Sequence, residues 1–97
     1  MILRMSDDLF DRIVVDGKLD ISAAAELLEV IKDAAAEDRD LLIDISEVEA
    51  IGFPALQVLA AAMKDFRGRK KQLMISRPSV SCEEIVELAG FKPLLYE

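Results

Sequence analysis

Leu41, Leu42, Ile43 and Ile45 form a short, nearly continuous apolar run, the mark of a β-strand covered on both faces. Beyond it, Leu56, Leu59, Ala60, Met63 and Phe66 recur at helical spacing, and Pro54 suits the first position of that helix. A strand that passes through the short loop Glu47–Phe53 into a helix puts the turn Gly52–Ala55 at a helix N-terminus. In open α/β sheets this end of the strands is where sites are built.

The rest of the chain can be arranged around that unit. Met1–Met5 and Arg12–Gly17 read as short strands separated by the polar turn Ser6, Asp7, Asp8, which suggests an opening hairpin. Gly17 and Asp20 punctuate a loop, Gly17–Ile21. Ser22 is then the expected cap of a first helix whose inner stripe is Ala24, Leu27, Leu28, Ile31 and Ala35. Glu26, Glu29, Asp33 and Glu37 fall mostly on its outer side. Two strands joined through a helix of this length require a crossover, so Ile13–Val15 and Leu41–Ile45 should lie parallel.

Gln72–Ile75 reads as the next strand, again reached by a crossover. Pro78 and Ser79 mark a turn, and Ser81 with Glu84 has the spacing of a capping box. Ile85, Val86 and Leu88 supply an inner face for a third helix, which Gly90 ends and Pro93 keeps from resuming. Phe91, Leu94, Leu95 and Tyr96 are expected to close one end of the core. The fold class is α/β: a small mixed β-sheet with helices packed against it, in one domain over residues 1–97.

Composition narrows the function. With 19 acidic against 12 basic residues the net charge is -7, which repels nucleic-acid backbones and anionic membrane surfaces. The basic run Arg67, Arg69, Lys70, Lys71 follows a helix, where cations complement the carbonyl end of the dipole, and reads as a solvated loop. The single cysteine, Cys82, excludes an internal disulfide and fits a reducing compartment. Charged residues interrupt the N-terminal apolar stretch too early for a signal peptide, and the longest apolar stretch is too short to span a bilayer. A soluble, cytoplasmic protein is the expectation.

Catalytic chemistry finds little support. The chain has no histidine, the commonest general base and metal ligand. Cys82 lacks an imidazole partner and reads as a small packing residue. Asp7, Asp8 and Asp11 lack the spacing and glycine of a calcium loop, so solvated turn carboxylates are the better reading. Glu47 and Glu49 precede the central turn without a partner group, and no phosphate-binding glycine motif is present. No metal and no cofactor are expected. What remains is a protein surface: Phe53 is a poor cap beside Pro54, and either turns inward as a hydrophobic staple or faces out as an anchor for a partner.

Three segments carry a family resemblance. Gly17-Lys18-Leu19-Asp20-Ile21-Ser22, then Leu42-Ile43-Asp44-Ile45-Ser46-Glu47-Val48-Glu49-Ala50-Ile51, then Glu87-Leu88-Ala89-Gly90-Phe91 resemble, in order and spacing, the signatures of STAS domains, the anti-sigma factor antagonist family. The resemblance implies a non-enzymatic bacterial signal-transduction module. It also implies that the first loop and the start of the second helix dock onto a protein partner, a serine or histidine kinase or an anti-sigma factor. In the family an Asp-Ser-Ser-Gly tetrad at that helix start is phosphorylated on its first serine. Here the tetrad falls on Gly52, Phe53, Pro54 and Ala55, and every member is replaced.

Phe53, at the phosphorylation position, has no hydroxyl. The chain has no threonine, and its serines are Ser6, Ser22, Ser46, Ser76, Ser79 and Ser81. The segment Pro54-Ala55-Leu56-Gln57-Val58-Leu59-Ala60-Ala61-Ala62 also resembles a STAS variety that accompanies bacterial chemotaxis proteins. The expected partner-binding residues are therefore Asp20, Ile21, Gly52, Phe53, Pro54 and Gln57. A chemotaxis-associated adaptor, or a constitutive subunit of a larger complex, is the alternative.

Overall fold

The computed structural model describes residues 1–6, 9–76 and 78–88. The elements, in chain order, are β1 (Ile2–Ser6), β2 (Asp11–Leu19), α1 (Ile21–Ala35), β3 (Leu41–Ile51), α2 (Phe53–Gly68), β4 (Leu73–Ile75) and α3 (Val80–Leu88). The four strands form one sheet in the order β1-β2-β3-β4. β1 and β2 form the expected antiparallel hairpin, with Ile2 opposite Val15 and Ser6 opposite Asp11. β2 with β3, and β3 with β4, are parallel. Asp7, Asp8, Gly90, Phe91, Pro93, Leu94, Leu95 and Tyr96 lie outside the described residues, so the expectations placed on them have no counterpart here.

The apolar run of β3 builds the core through its register. Ile13, Ile43 and Ile75 stand side by side across three strands, and Leu41 pairs with Leu73, all buried. Leu27 and Ile31 of α1, with Leu59 and Phe66 of α2, join the same buried cluster. Burying one such side chain contributes roughly 1.5–3 kcal/mol, more than the intrinsic helix propensity of any non-proline residue in these alanine-rich helices. Leu42, on the alternate face of β3, is only half-buried, so the strand is sealed on one side rather than on both.

The inner stripes differ from expectation in detail. On α1, Ala34 is buried and Leu28 half-buried. On α2 the buried positions are Ala55, Leu56, Leu59, Ala62 and Phe66; Ala60 is exposed and Met63 half-buried. The stripe is thus rotated toward two alanines, which let the helix approach its neighbours closely. Ser22 does not cap α1. Asp20 does, its Oδ1 accepting from the Ala23 N–H at 2.9 Å. Nor does a Ser81–Glu84 box cap α3, which already begins at Val80, with the Cys82 N–H donating to the Ser79 carbonyl. Ile85, expected to face inward, is 41% exposed.

Asp11 is the largest departure. It is not a solvated turn carboxylate: it is 1% exposed, in register with the core residue Leu41. Its charge is met by two guanidinium groups, Arg4 Nη2 at 3.3 Å from Oδ2 and Arg39 Nη1 at 3.1 Å from Oδ1. One arginine comes from β1 and the other from the α1–β3 connection, so the carboxylate ties three segments together. At the same end Arg69 pairs with Asp65 and donates to the Ala35 carbonyl at the end of α1. Part of the basic run therefore staples the two helices, and Arg67 lies within α2 rather than after it.

Asp11→Ala leaves two half-buried arginines facing an apolar gap. It is expected to cost about 2–4 kcal/mol, below the fully buried limit because both arginines reach water. Urea denaturation of the variant beside the parent protein checks this.

Candidate docking site at the start of the second helix

β3 does not end at Ile45; it continues to Ile51, through residues expected to form a loop. Two register shifts make this possible. Val14 pairs with Asp44 but Asp16 pairs with Glu47, and Gly17 pairs with Val48 but Lys18 pairs with Ala50. Each shift places an extra residue in β3, a β-bulge that re-aims the side chains after it and tightens the local twist. The buried positions accordingly run Ile45, Val48, Ile51, every third residue instead of every second. β2 also continues, through Gly17 to Leu19, where a loop was expected. Gly17 takes φ +78 beside the second shift, a left-handed conformation that a side chain would strain.

The extended pair closes with one bond. The Gly52 N–H donates to the Leu19 carbonyl at 2.9 Å, bringing the start of α1 and the start of α2 together. A Cβ on Gly52 would stand 3.3 Å from that same carbonyl oxygen, tighter than most side chains tolerate, so the close approach favours glycine. Gly52 caps α2 without a side-chain hydrogen bond, and Pro54 occupies its first turn.

The expected site residues thereby meet at one end of the molecule. Ile21 and Phe53 are 73% and 67% exposed, so Phe53 is not an inward staple. Ile21, Pro54 and Gln57 line a shallow groove of about 380 Å³ between α1 and α2, with Ala24, Ala25 and Leu28 along one wall. Asp20, Gly52 and Phe53 are not among its lining residues. Asp20 is committed to its cap, yet remains exposed and charged.

A polar cluster holds the strand where its first bulge begins. Asp44 Oδ1 accepts from the Ser46 N–H at 3.0 Å, the Ser46 hydroxyl at 2.6 Å and the Ser76 hydroxyl at 3.1 Å. The Ser76 oxygen in turn accepts from the Ile45 N–H at 2.9 Å. The Ser46 hydroxyl is the largest influence holding the Asp44 carboxyl below its ordinary value, with the Ser46 amide, Ser76 and Arg12 acting in the same direction against partial desolvation. Ser46 is thus engaged as a structural donor.

Sequence reasoning missed the contribution of α3. The Ser79 hydroxyl and the Cys82 thiol both donate to the Val48 carbonyl, docking the start of α3 beside the bulged end of β3. Cys82 is buried by this contact, whereas Val80 is left 90% exposed. The only hint in the sequence was a lone valine between Ser79 and Ser81. Glu47 and Glu49 are exposed on either side of Val48. Among the described residues no group of three or more His, Cys, Asp or Glu is placed to hold a metal ion, and no helix is long and apolar enough to cross a membrane.

Comparison with known proteins places this geometry. The profile of a family described as "Mlab, STAS domain" matches residues 6–96. The chain belongs to this STAS family. The domain is also similar to the crystal structure of an anti-sigma factor antagonist from Mycobacterium paratuberculosis, at 26% identity and a TM-score of 0.88 over 99% of this chain and 84% of that one. SpoIIAA in its unphosphorylated form shares the fold at 13% identity, with a TM-score of 0.84 over 99% of this chain and 86% of that one. The phosphorylated form of SpoIIAA, a cell fate determinant of Bacillus, gives a TM-score of 0.78 at 13% identity, over 99% of this chain and 89% of that one. No curated protein sequence matches the STAS domain described here.

The Asp44 cluster gives the STAS fold a defined acid response. Because the folded pKa lies below the ordinary 3.8, the stabilisation is complete above that value and is lost as pH falls through the folded pKa. Asp44→Ala is expected to lower stability at pH 7 by about 1–2 kcal/mol, from the loss of hydrogen bonds to a charged acceptor. The gap to the parent protein should close below pH 3.8 in denaturant melts run as a pH series.

Proposed function

We propose that this STAS domain is a non-enzymatic protein-interaction module of bacterial signal transduction. It docks on a signalling kinase or an anti-sigma factor through Asp20, Ile21, Gly52, Phe53, Pro54 and Gln57. The observation that carries the reading is the exposure of Phe53, 67% at the first position of α2 and next to the start of α1. An aromatic ring left in water loses the stabilisation that burial would give it, and such rings dominate the energetics of protein interfaces. The similarity to the anti-sigma factor antagonist from Mycobacterium paratuberculosis supports the choice of partner class.

The same position separates this domain from a phosphorylated switch. Phe53 cannot accept a phosphoryl group, Pro54 cannot either, and Ser46 spends its hydroxyl on Asp44. Control then resides in the availability or modification of the partner rather than in this turn. A constitutive place in a larger complex is the second reading, favoured by the apolar side chains Ile21, Phe53 and Val80 that stay exposed in the isolated chain. Sedimentation of native extract separates the two, since an obligate subunit is never found mostly free.

Phe53→Asp puts a charge where the partner's apolar contact would be. Binding to the cognate partner in calorimetry is expected to weaken at least about a hundredfold, the effect of losing a hot-spot residue. Thermal stability should change little, because the ring is exposed in the free protein. Undiminished binding by the folded variant would remove this surface from consideration.

A further inference from the structure

Resting on that docking surface, we infer the chemistry of its partner: a protein face with an apolar pocket ringed by Lys and Arg, which contacts the start of α3 as well as the starts of α1 and α2. The charges at this end are one-sided. Along the segments 18–21, 46–54 and 79–84, which the Leu19–Gly52 and Val48–Ser79 hydrogen bonds hold together, the described acidic residues are Asp20, Glu47, Glu49, Glu83 and Glu84. All five are exposed, and none forms an ion pair with a described residue. Lys18 is the one cation on these segments. The described cations otherwise sit elsewhere, with Arg67, Arg69, Lys70 and Lys71 at the far end of α2.

Three large apolar side chains stand out of the acidic field: Ile21, Phe53 and Val80, at 73%, 67% and 90% exposure. An apolar centre with a charged rim is the layout of a docking patch, in which the centre supplies affinity and the rim selects the sign of the partner and speeds encounter. An acidic partner face would meet repulsion from five carboxylates with a single lysine to offset it. A neutral apolar face would leave those carboxylates partly desolvated and unpaired. A basic face satisfies both the rim and the centre. Val80, Glu83 and Glu84 belong to this surface because Ser79 and Cys82 bind the Val48 carbonyl between Glu47 and Glu49.

The test uses a displayed random-peptide library, selected on the intact chain and depleted on folded Phe53→Asp, with folding of each variant verified by circular dichroism. The Phe53-dependent binders are expected to combine an aromatic or aliphatic residue with an excess of Lys and Arg over Asp and Glu. Their affinity should drop about tenfold in Glu47→Gln/Glu49→Gln/Glu83→Gln, the combined effect of three partly screened rim charges. Selection on Glu47→Lys/Glu49→Lys/Glu83→Lys should reverse the charge preference. Phe53-dependent binders with no basic excess, or with affinity untouched by the triple Gln variant, would overturn the inferred chemistry while leaving the docking surface standing. If no binder depends on Phe53 or on Ile21, the surface itself is overturned. Self-association of the chain that Phe53→Asp abolishes, read by sedimentation, would make the occupant a second copy and overturn the basic partner.

Discussion

The hydrogen bond from the Gly52 N–H to the Leu19 carbonyl is the point on which the candidate docking end of this STAS domain depends. It can form only if β2 and β3 stay paired beyond the core and finish level with each other. β2 spans nine residues and β3 eleven. The two surplus residues are absorbed by the two bulges, and each bulge is secured by something specific. Asp44 and Ser76 hold the backbone at the first, while Gly17 supplies the left-handed turn at the second. Without the bulges the strand would keep its period of two, and Val48 and Ile51 could not both face the core. The site is therefore a product of sheet geometry: the loops beyond the strand ends are short because the strands themselves have been carried up to the helices.

That geometry also settles the direction of Phe53. The ring follows Ile51, which is buried, and precedes Ala55 and Leu56, which are buried as well. Successive helical residues advance by about 100°, so an inner stripe centred on Ala55, Leu59, Ala62 and Phe66 leaves position 53 well over a quarter-turn away from the core. The expected stripe through Leu56, Leu59, Ala60, Met63 and Phe66 would have brought it closer to the buried face. Ala62, small enough for close packing, sits at the core where Ala60 and Met63 were the expected contacts. Exposure of the aromatic ring is thus a consequence of which alanine packs inward, and the fold forgoes the burial of one large side chain to achieve it.

Much of this architecture was legible in the chain because apolar spacing encodes it directly. The hairpin, the two parallel crossovers, the strand at Leu41 and the helix at Pro54 all rest on runs or repeats within a single segment. The misreadings share a different cause. Ile45, Val48 and Ile51 recur every third residue, a spacing that matches neither a strand nor a full helix, and becomes intelligible only when the partner strand shows where residues are looped out. Asp11 looks like one more turn carboxylate beside Asp7 and Asp8. Its partners, Arg4 and Arg39, are 7 and 28 residues away and are brought to it by the sheet. Asp20, two residues ahead of Ser22, took the cap because α1 begins at Ile21. That the starts of α1 and α2 meet at one end of the sheet was legible from topology, whereas the approach of α3 to that end depends on hydrogen bonds to one backbone carbonyl, which the apolar spacing does not record.

The position of Phe53 and the charge around it bear on each other. A phosphoryl group at this turn would add about two negative charges. In an acidic setting such as that of Asp20, Glu47 and Glu49 it would deepen an existing field rather than create one. An aromatic ring in the same place does something different in kind, because it gives the surface an apolar centre that no cellular enzyme can toggle by adding phosphate to it. On the docking reading proposed above, the part of the recognition that conditions can still alter is the rim, whose carboxylates are exposed and screened by salt over a distance of about 8 Å at physiological ionic strength. On the same reading, partner choice lies in the sign of the rim and the shape of the centre.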